Sequence, residues 1–193
     1  MRIVLGTRSP DKVREVRRIL TGVTFADLSD FPHAPEVKED APTFRGNAEK
    51  KASEMAAALG EWVLADDSGL EVDALGGEPG VRSHRFAGEP PDDAANNRLL
   101  AERMKGIPQA RRTARYRCAV AVASPQGVAA AAEGACEGWI IETPRGNGGF
   151  GYDPYFLSAD LKKTFAEASP EEKDTVSHRA RALKALRGTW TPP

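Results

Sequence analysis

Apolar and polar positions divide the chain into short alternating segments. Residues 2–6, carrying Ile3-Val4-Leu5, read as a buried strand. Residues 7–11, Thr-Arg-Ser-Pro-Asp, form a polar turn that opens a helix: Pro10 suits a helix start and Asp11 its first turn. That helix runs to about Leu20, with Val13, Val16, Ile19 and Leu20 on one face. Residues 23–42 read as a short strand followed by an irregular, Pro-bearing acidic loop. An Ala-rich helix is predicted from Thr43 to Leu59, ended by Gly60. Trp62-Val63-Leu64-Ala65 is a short buried strand that stops at Asp66-Asp67-Ser68-Gly69, read as a turn. Residues 76–91, rich in Gly and Pro, are loop, and a helix follows from Asp92 to Met104 with Asp92 or Asp93 as its N-cap. Residues 112–124 and 127–141 are two long strands around a Ser124-Pro125-Gln126-Gly127 hairpin turn. Gly146–Pro154 is a second Gly-rich loop, and a last helix covers Val176 to Leu186.

Helices and strands alternate early and a long antiparallel hairpin sits in the middle, so the pattern predicts an α/β fold with a mixed sheet. The 193 residues suffice for a single domain, 1–193, built as one body or as two joined lobes. Composition is that of a globular protein, 40% hydrophobic and 28% charged. The formal net charge of -1 argues against a general nucleic-acid or membrane-surface binder, yet leaves room for a local basic pocket. No stretch approaches ~20 uninterrupted apolar residues, so no membrane span is expected. The apolar run at the N-terminus is too short for a signal peptide. Cys118 and Cys136 lack metal-binding spacing and read as two free thiols of a reducing, cytoplasmic compartment. His33 and His84 have no partners at zinc-ligand spacing.

Candidate chemistry centres on Asp66-Asp67-Ser68-Gly69. Adjacent carboxylates at the end of a strand point to opposite sides, and sites of α/β sheets gather at carboxyl ends of strands. One or two carboxylates plus substrate phosphates suit Mg²⁺. By itself the tetrad reads equally well as an acidic turn closed by Gly. Upstream, the turn from Thr7 through Arg8, Ser9, Pro10 and Asp11 to Lys12 places N–H groups at a helix N-terminus, a natural anion site, and Lys12 adds a positive charge. Asn47 and Lys51 are four apart and share a helix face with Thr43. Glu39, in the acidic loop, is a candidate second carboxylate for a metal.

Downstream, glycines flank Phe150 in Gly146-Asn147-Gly148-Gly149-Phe150-Gly151-Tyr152-Asp153-Pro154. They leave its ring open to a flat partner, on which a stacked base gains about 1–3 kcal/mol. Asp153 could accept hydrogen bonds from a base edge or ribose; alternatively Phe150 and Tyr152 plug the core. Lys173 and Ser177-His178-Arg179 complete the set. A guanidinium fork suits a 6-keto purine oxygen and rejects a 6-amino group, itself a donor. Arg111, Arg115 and Arg117 line one face of a strand that is read as a solvated face or subunit contact rather than a nucleic-acid surface.

In order along the chain stand Thr7 and Lys12, Thr43-Phe44-x-x-Asn47-Ala48-x-x-Lys51-Ala52, Ala65-Asp66-Asp67-Ser68-Gly69-Leu70 and Ala74-Leu75-Gly76-Gly77-x-Pro79-Gly80-Val81. They are followed by Gly148-Gly149-Phe150-Gly151-Tyr152-Asp153-Pro154, Ser169-Pro170-Glu171-Glu172-Lys173 and Ser177-His178-Arg179. Together these motifs resemble the Ham1/inosine triphosphatase family of house-cleaning pyrophosphatases. The resemblance implies an elongated mixed sheet flanked by helices, a cleft between two lobes, and a homodimer. It implies Mg²⁺-dependent hydrolysis of inosine and xanthosine triphosphates, ribose or deoxyribose, to the monophosphate and pyrophosphate. Asp67 matches the proton acceptor and Mg²⁺ ligand. Residues Thr7 to Lys12, Lys51, Ser68 and Lys173 match triphosphate-contacting positions, and Phe150, Gly151, Tyr152, Asp153, His178 and Arg179 match base-binding positions. The chain departs from the family with Ser9 for Asn, with Arg8 and Asp11 where Gly is frequent, and with Lys38-Glu39 for an acidic pair. His84 also stands in Ser83-His84-Arg85-Phe86, where Ser-Ala-Arg-Tyr is common.

Overall fold

The structure, a computed structural model, describes residues 2–191; Met1, Pro192 and Pro193 of the expected domain lie outside the described residues. Six strands form one mixed sheet, in the order β2-β1-β3-β4-β5-β6. They are β1 (Arg2–Leu5), β2 (Thr24–Ala26), β3 (Val63–Val72), β4 (Thr113–Ser124), β5 (Gly127–Ile140) and β6 (Phe156–Ser158). Strand β1 runs parallel to β2 and to β3, whereas β5 and β6 are antiparallel. Among the described residues five α-helices accompany them: α1 (Pro10–Ile19), α2 (Phe44–Leu59), α3 (Asp93–Arg103), α4 (Pro170–Val176) and α5 (His178–Thr189). Among the described residues no helix is long and apolar enough to cross a membrane.

Local chemistry sets most of these boundaries. Ser9 caps α1 by accepting from the Lys12 N–H, with Pro10 at the first helical position. Thr43 caps α2 through the Gly46 N–H, and Gly60 ends it in the left-handed conformation at φ 68°. Asp92 caps α3, accepting from the N–H groups of Ala94 and Ala95.

Two expectations are corrected. The tetrad 66–69 is not a turn: β3 passes straight through it to Val72, because the apolar alternation of Leu64 resumes at Leu70 and Val72. The turn comes later, at Asp73–Leu75, where Gly76 takes φ 66°. The last helix is in fact two. Ser169 and Glu172 form a capping box with Pro170 behind the cap, so α4 starts at Pro170. Ser177, extended at ψ 155°, then breaks the chain before α5.

The chain divides into two compact units. The first comprises the described residues up to Asp67, Cys118–Gly134 and those from His178 onward. Its core gathers Ile3, Leu5, Val16, Leu64, Val120, Val122, Leu183 and Leu186, each side chain contributing about 1.5–3 kcal/mol through burial. Here β5 runs against α5 so closely that a Cβ on Gly134 would collide with the backbone of His178 and Ala182. The second comprises Ser68–Arg117 and Ala135–Ser177. Its core holds Leu70, Val72, Leu100, Met104, Ile140, Phe156 and Phe165, with Tyr116 packed edge-on to Phe156.

Candidate active site

In the first unit, strand alternation sends Asp66 and Asp67 to opposite faces of β3, as expected for neighbours on a strand. Both are buried, yet their surroundings differ. Asp66 Oδ2 accepts from Arg179 Nη2 at 3.0 Å and from Nε at 3.3 Å, and lies 3.1 Å from Lys12 Nζ. Burial would raise its carboxyl, but the charges of Lys12, Arg179 and Lys51 outweigh it and hold the group well below the usual carboxylate range. Arg179 is fully buried and its third contact is Glu15, another buried carboxylate, on α1. The guanidinium thus bridges α1 and β3 and stays firmly protonated.

Asp67 meets the opposite environment. Burial, reinforced by the negative charge of Glu39, pushes its carboxyl up to about 6 against the opposing pull of Asn47, Lys12 and Lys51. Asn47 donates through Nδ2 to Asp67 Oδ2 at 2.9 Å, while its own Oδ1 accepts from the Ala41 N–H at 2.8 Å. The second bond fixes which end of the amide faces Asp67. Lys51, also buried, sits one turn further along α2 and pairs with Glu39 at 2.7 Å. One neighbour is therefore locked as an anion inside an ion-pair lattice. The other has its carboxyl raised toward the range in which a general base works.

The turn before α1 is ordered by its own side chains. The Ser9 N–H donates to Thr7 Oγ1 at 3.2 Å, and Arg8 Nη2 donates to the Ala34 carbonyl at 3.2 Å. Asp11 pairs with Arg14. Thr7, Ser9 and Lys12 are half-buried, whereas Arg8 and Pro10 are exposed.

In the second unit the Gly-rich loop is organised around Asp153. Its Oδ2 accepts from the Phe150 N–H at 3.0 Å and from Lys173 Nζ at 2.6 Å. Gly149 turns at φ 73°, and a Cβ there would strike the Asp153 carboxylate. Lys173 Nζ lies 4.7 Å from the Phe150 ring centre and 5.3 Å from that of Phe165, within cation–π range. Tyr152 is buried and its hydroxyl donates to the Ser83 carbonyl at 2.7 Å. Phe150 is half-buried, as are Gly151 and, on β3, Ser68.

These contacts revise several expected roles. Arg179 does not present its fork to a purine: it has no exposed surface, and Nε, Nη1 and Nη2 are engaged by Asp66 and Glu15. Asp153 does not offer Oδ2 to a base edge; it anchors the loop from beneath, 2% exposed. Lys173, 5% exposed, supports that carboxylate and the Phe150 ring instead of presenting an open charge to a phosphate. His178 is buried at the head of α5. Tyr152 plugs the core, whereas Phe150 does not bury fully. Of the three arginines, Arg115 is engaged by acids, pairing with Asp73 at 2.9 Å and Glu137 at 3.1 Å and lying 3.7 Å from Glu71, whereas Arg111 lies in a turn before β4 and not on the strand. Sequence reasoning missed Glu15. The available signal was a carboxylate one turn before Ile19, on the border of the apolar face of α1.

Taken together, the mixed α/β sheet and the acid–base group set among lysines beside a capped helix start define a class. The class is that of α/β proteins arranged to act on an anionic, phosphate-bearing ligand. The family model described as "Ham1 family" matches residues 3–189, and the chain belongs to the Ham1 family. A relative from Desulforamulus reducens, named dITP/XTP pyrophosphatase, is 52% identical over 186 residues, covering 95% of this chain and 92% of that protein. The solved HAM1 protein of Coxiella burnetii superposes with a TM-score of 0.88 at 35% identity, covering 98% of each chain. A Mycobacterium abscessus structure described as a nucleoside-triphosphatase / dITP/XTP pyrophosphatase gives 0.78 at 45% identity, covering 96% of this chain and 98% of that one.

Proposed function

We propose that this protein hydrolyses non-canonical purine nucleoside triphosphates, inosine and xanthosine forms, to the monophosphate and pyrophosphate. The reading includes a Mg²⁺ requirement, action as a homodimer, and residence in the cytoplasm, where it keeps deaminated purines out of nucleic acids. Relatives carrying the dITP/XTP pyrophosphatase name over nearly the full length of both chains support the reaction. The observation that carries the chemistry is Asp67: a buried carboxylate, oriented by Asn47 and pushed up to about 6.

Water attacks at the linkage between the α- and β-phosphates, and pyrophosphate leaves. Asp67 takes the proton of that water, its affinity matched to neutral pH. Lys12 and Lys51 offset the charge of the triphosphate, and the N–H groups at the start of α1, with Thr7 and Ser9, receive phosphate oxygens. Arg8, Pro10, Asp11 and Ser68 frame the same phosphates. Phe150 offers its ring to the base, in a loop that includes Gly151.

The donor set fits Mg²⁺. The negative charge of Glu39 raises the cost of ionising Asp67, and a hard dication relieves that cost with oxygen ligands. Among the described residues no group of three or more His, Cys, Asp or Glu could hold a metal; on this reading phosphates and water supply the remaining ligands. When bound, Mg²⁺ would neutralise charge that develops on the phosphates.

The test is a panel of inosine, xanthosine, guanosine and adenosine triphosphates with and without Mg²⁺, reading pyrophosphate and orthophosphate separately. Pyrophosphate release favouring inosine and xanthosine forms is expected. Orthophosphate release would overturn the reaction type, and equal rates on all four would overturn base selection.

A further inference from the structure

The second unit contains a second layer of control over the loop 146–154, resting on two side chains of α3. Asp93 and Asn97 are four apart and share a helix face. The Gly151 N–H donates to Asp93 Oδ2 at 2.9 Å, and the Gly151 carbonyl accepts from Asn97 Nδ2 at 2.8 Å. Both polar groups of one residue are therefore gripped by one helix face, across 54 to 58 residues of sequence. Gly151 itself takes φ 59°, and a Cβ there would meet nothing within 4 Å. Its conformation is left-handed with open space where a side chain would stand, and these two bonds tie its backbone to α3.

Two further facts separate this arrangement from ordinary helix capping. The cap of α3 is already supplied by Asp92, so Asp93 is not needed for that role. Asn97 Oδ1 is buried and has no hydrogen-bond partner among the described residues. A buried acceptor left unsatisfied is a cost to the fold, and such costs persist where a side chain serves another purpose. The adjacent Asn96 shows the contrasting case. It accepts from the Ala87 N–H at 2.7 Å and donates to the His84 carbonyl at 3.0 Å, so both ends of its amide are used.

We propose that Asp93 and Asn97 form a peptide clamp on Gly151 that fixes the presentation of Phe150, and that they are positioning residues for base binding. The proposal rests on the reading of Phe150 as the base platform. Lys173 and Asp153 hold the loop from beneath, and the clamp holds it at Gly151. With the clamp released, the ring samples more orientations, and base binding weakens while proton transfer at Asp67 does not change. Polarity is part of the device: a carboxylate at position 97 would face the Gly151 carbonyl, acceptor against acceptor.

The experiment uses the full chain and four variants: Asn97→Ala, Asn97→Asp, Asp93→Ala and Asp93→Asn. For Asn97→Ala and Asp93→Ala the expected result is a rise in KM for inosine triphosphate of roughly fivefold, the worth of one hydrogen bond, with kcat within about twofold. Asn97→Asp should be worse than Asn97→Ala, and Asp93→Asn, which keeps an acceptor, should stay near the parent. A second readout needs no activity: trypsin cleavage after Arg145, at the start of the loop, should quicken in the two alanine variants relative to other sites. Unchanged KM and unchanged cleavage at Arg145 would overturn the clamp, as would Asn97→Asp behaving like the parent. A parent enzyme without base preference would overturn the functional reading instead, and the cleavage rates would still decide the clamp.

Discussion

Replacing Arg179 by methionine separates two accounts of the same residue. If the guanidinium read the base, the variant would fold normally and bind inosine triphosphate poorly. The structure assigns it to holding α1 against β3 through Glu15 and Asp66, with all three side chains buried. Methionine fills comparable volume but leaves two buried carboxylates with less compensation, Asp66 retaining Lys12 at 3.1 Å. Breaking a buried ion pair by removing one partner costs about 3–5 kcal/mol. At about 2–4 °C per kcal/mol for a chain of this length, the melting temperature should fall by roughly 6–20 °C. The loss should depend on pH. Asp66 is held below its ordinary 3.8, so its stabilising contribution is present above that value and fades as pH falls through the depressed one. The gap between parent and variant should therefore be full at pH 7 and narrow below about pH 4. Adding Glu15→Gln should restore part of the loss by removing one uncompensated charge. Thermal unfolding followed by circular dichroism, pH 3 to 8, is the assay. A variant melting within about 2 °C of the parent at pH 7 would refute the reasoning.

The neighbouring aspartate should behave in the reverse sense. Asp67→Asn is expected to abolish nearly all turnover yet stabilise the protein: a carboxyl raised from 3.8 to about 6 penalises the folded state by on the order of 2–3 kcal/mol once ionised. That penalty is absent below the unfolded value and complete above about 6, so the gain should appear in melts at pH 7 and vanish near pH 4. On the proposed reading, in which Asp67 ligates Mg²⁺, a proton competes with the ion, and Mg²⁺ affinity measured by calorimetry should weaken by up to about tenfold per unit as pH falls below about 6; a flat profile would remove Asp67 from the ligand set. Gly134→Ala should cost about 1–3 kcal/mol, seen in urea denaturation, because the added methyl meets the α5 backbone rather than a yielding side chain.

The legible parts of this fold were those written in local patterns. The hairpin of β4 and β5 announced itself through long apolar runs around Ser124-Pro125-Gln126-Gly127, α1 through Pro10 and its apolar face, α2 through its Ala-rich run ended by Gly60, and α3 through its cap at Asp92. The start of α4 was equally local, since Ser169-Pro170-Glu171-Glu172 is a capping box, but the helix is only seven residues long and lacks a periodic apolar face to draw notice. β3 was truncated because four residues poor in strand propensity interrupt its apolar run. Tertiary context overrides that propensity, as it commonly does for central strands. The partners of Arg179 were illegible for a different reason. Glu15 and Asp66 lie 164 and 113 residues away, and no local rule distinguishes a fork aimed at a ligand from one aimed at buried carboxylates.

That distinction bears on how the acidic pair works. Asp66 and Asp67 have the same chemistry and adjacent positions, so the sequence gives them no separate duties. The strand divides them, one toward α1 and α5, the other toward α2. On the first face the cations outweigh burial; on the second, burial and Glu39 outweigh the cations. An enzyme acting on a triphosphate needs a base free to accept a proton beside lysines free to offset charge, yet lysines nearby pull a carboxylate toward permanent ionisation. Asp66 eases that conflict by engaging Lys12 and Arg179 on its own face, while Glu39 engages Lys51 on the other. On the proposed reading of Asp67 as base, Glu39 tunes it through its negative charge, while Asp66 and Glu39 pair the cations beside it. Neutralising Glu39 as Gln should lower the proton affinity of Asp67, and the acid limb of the rate profile should move to lower pH with it.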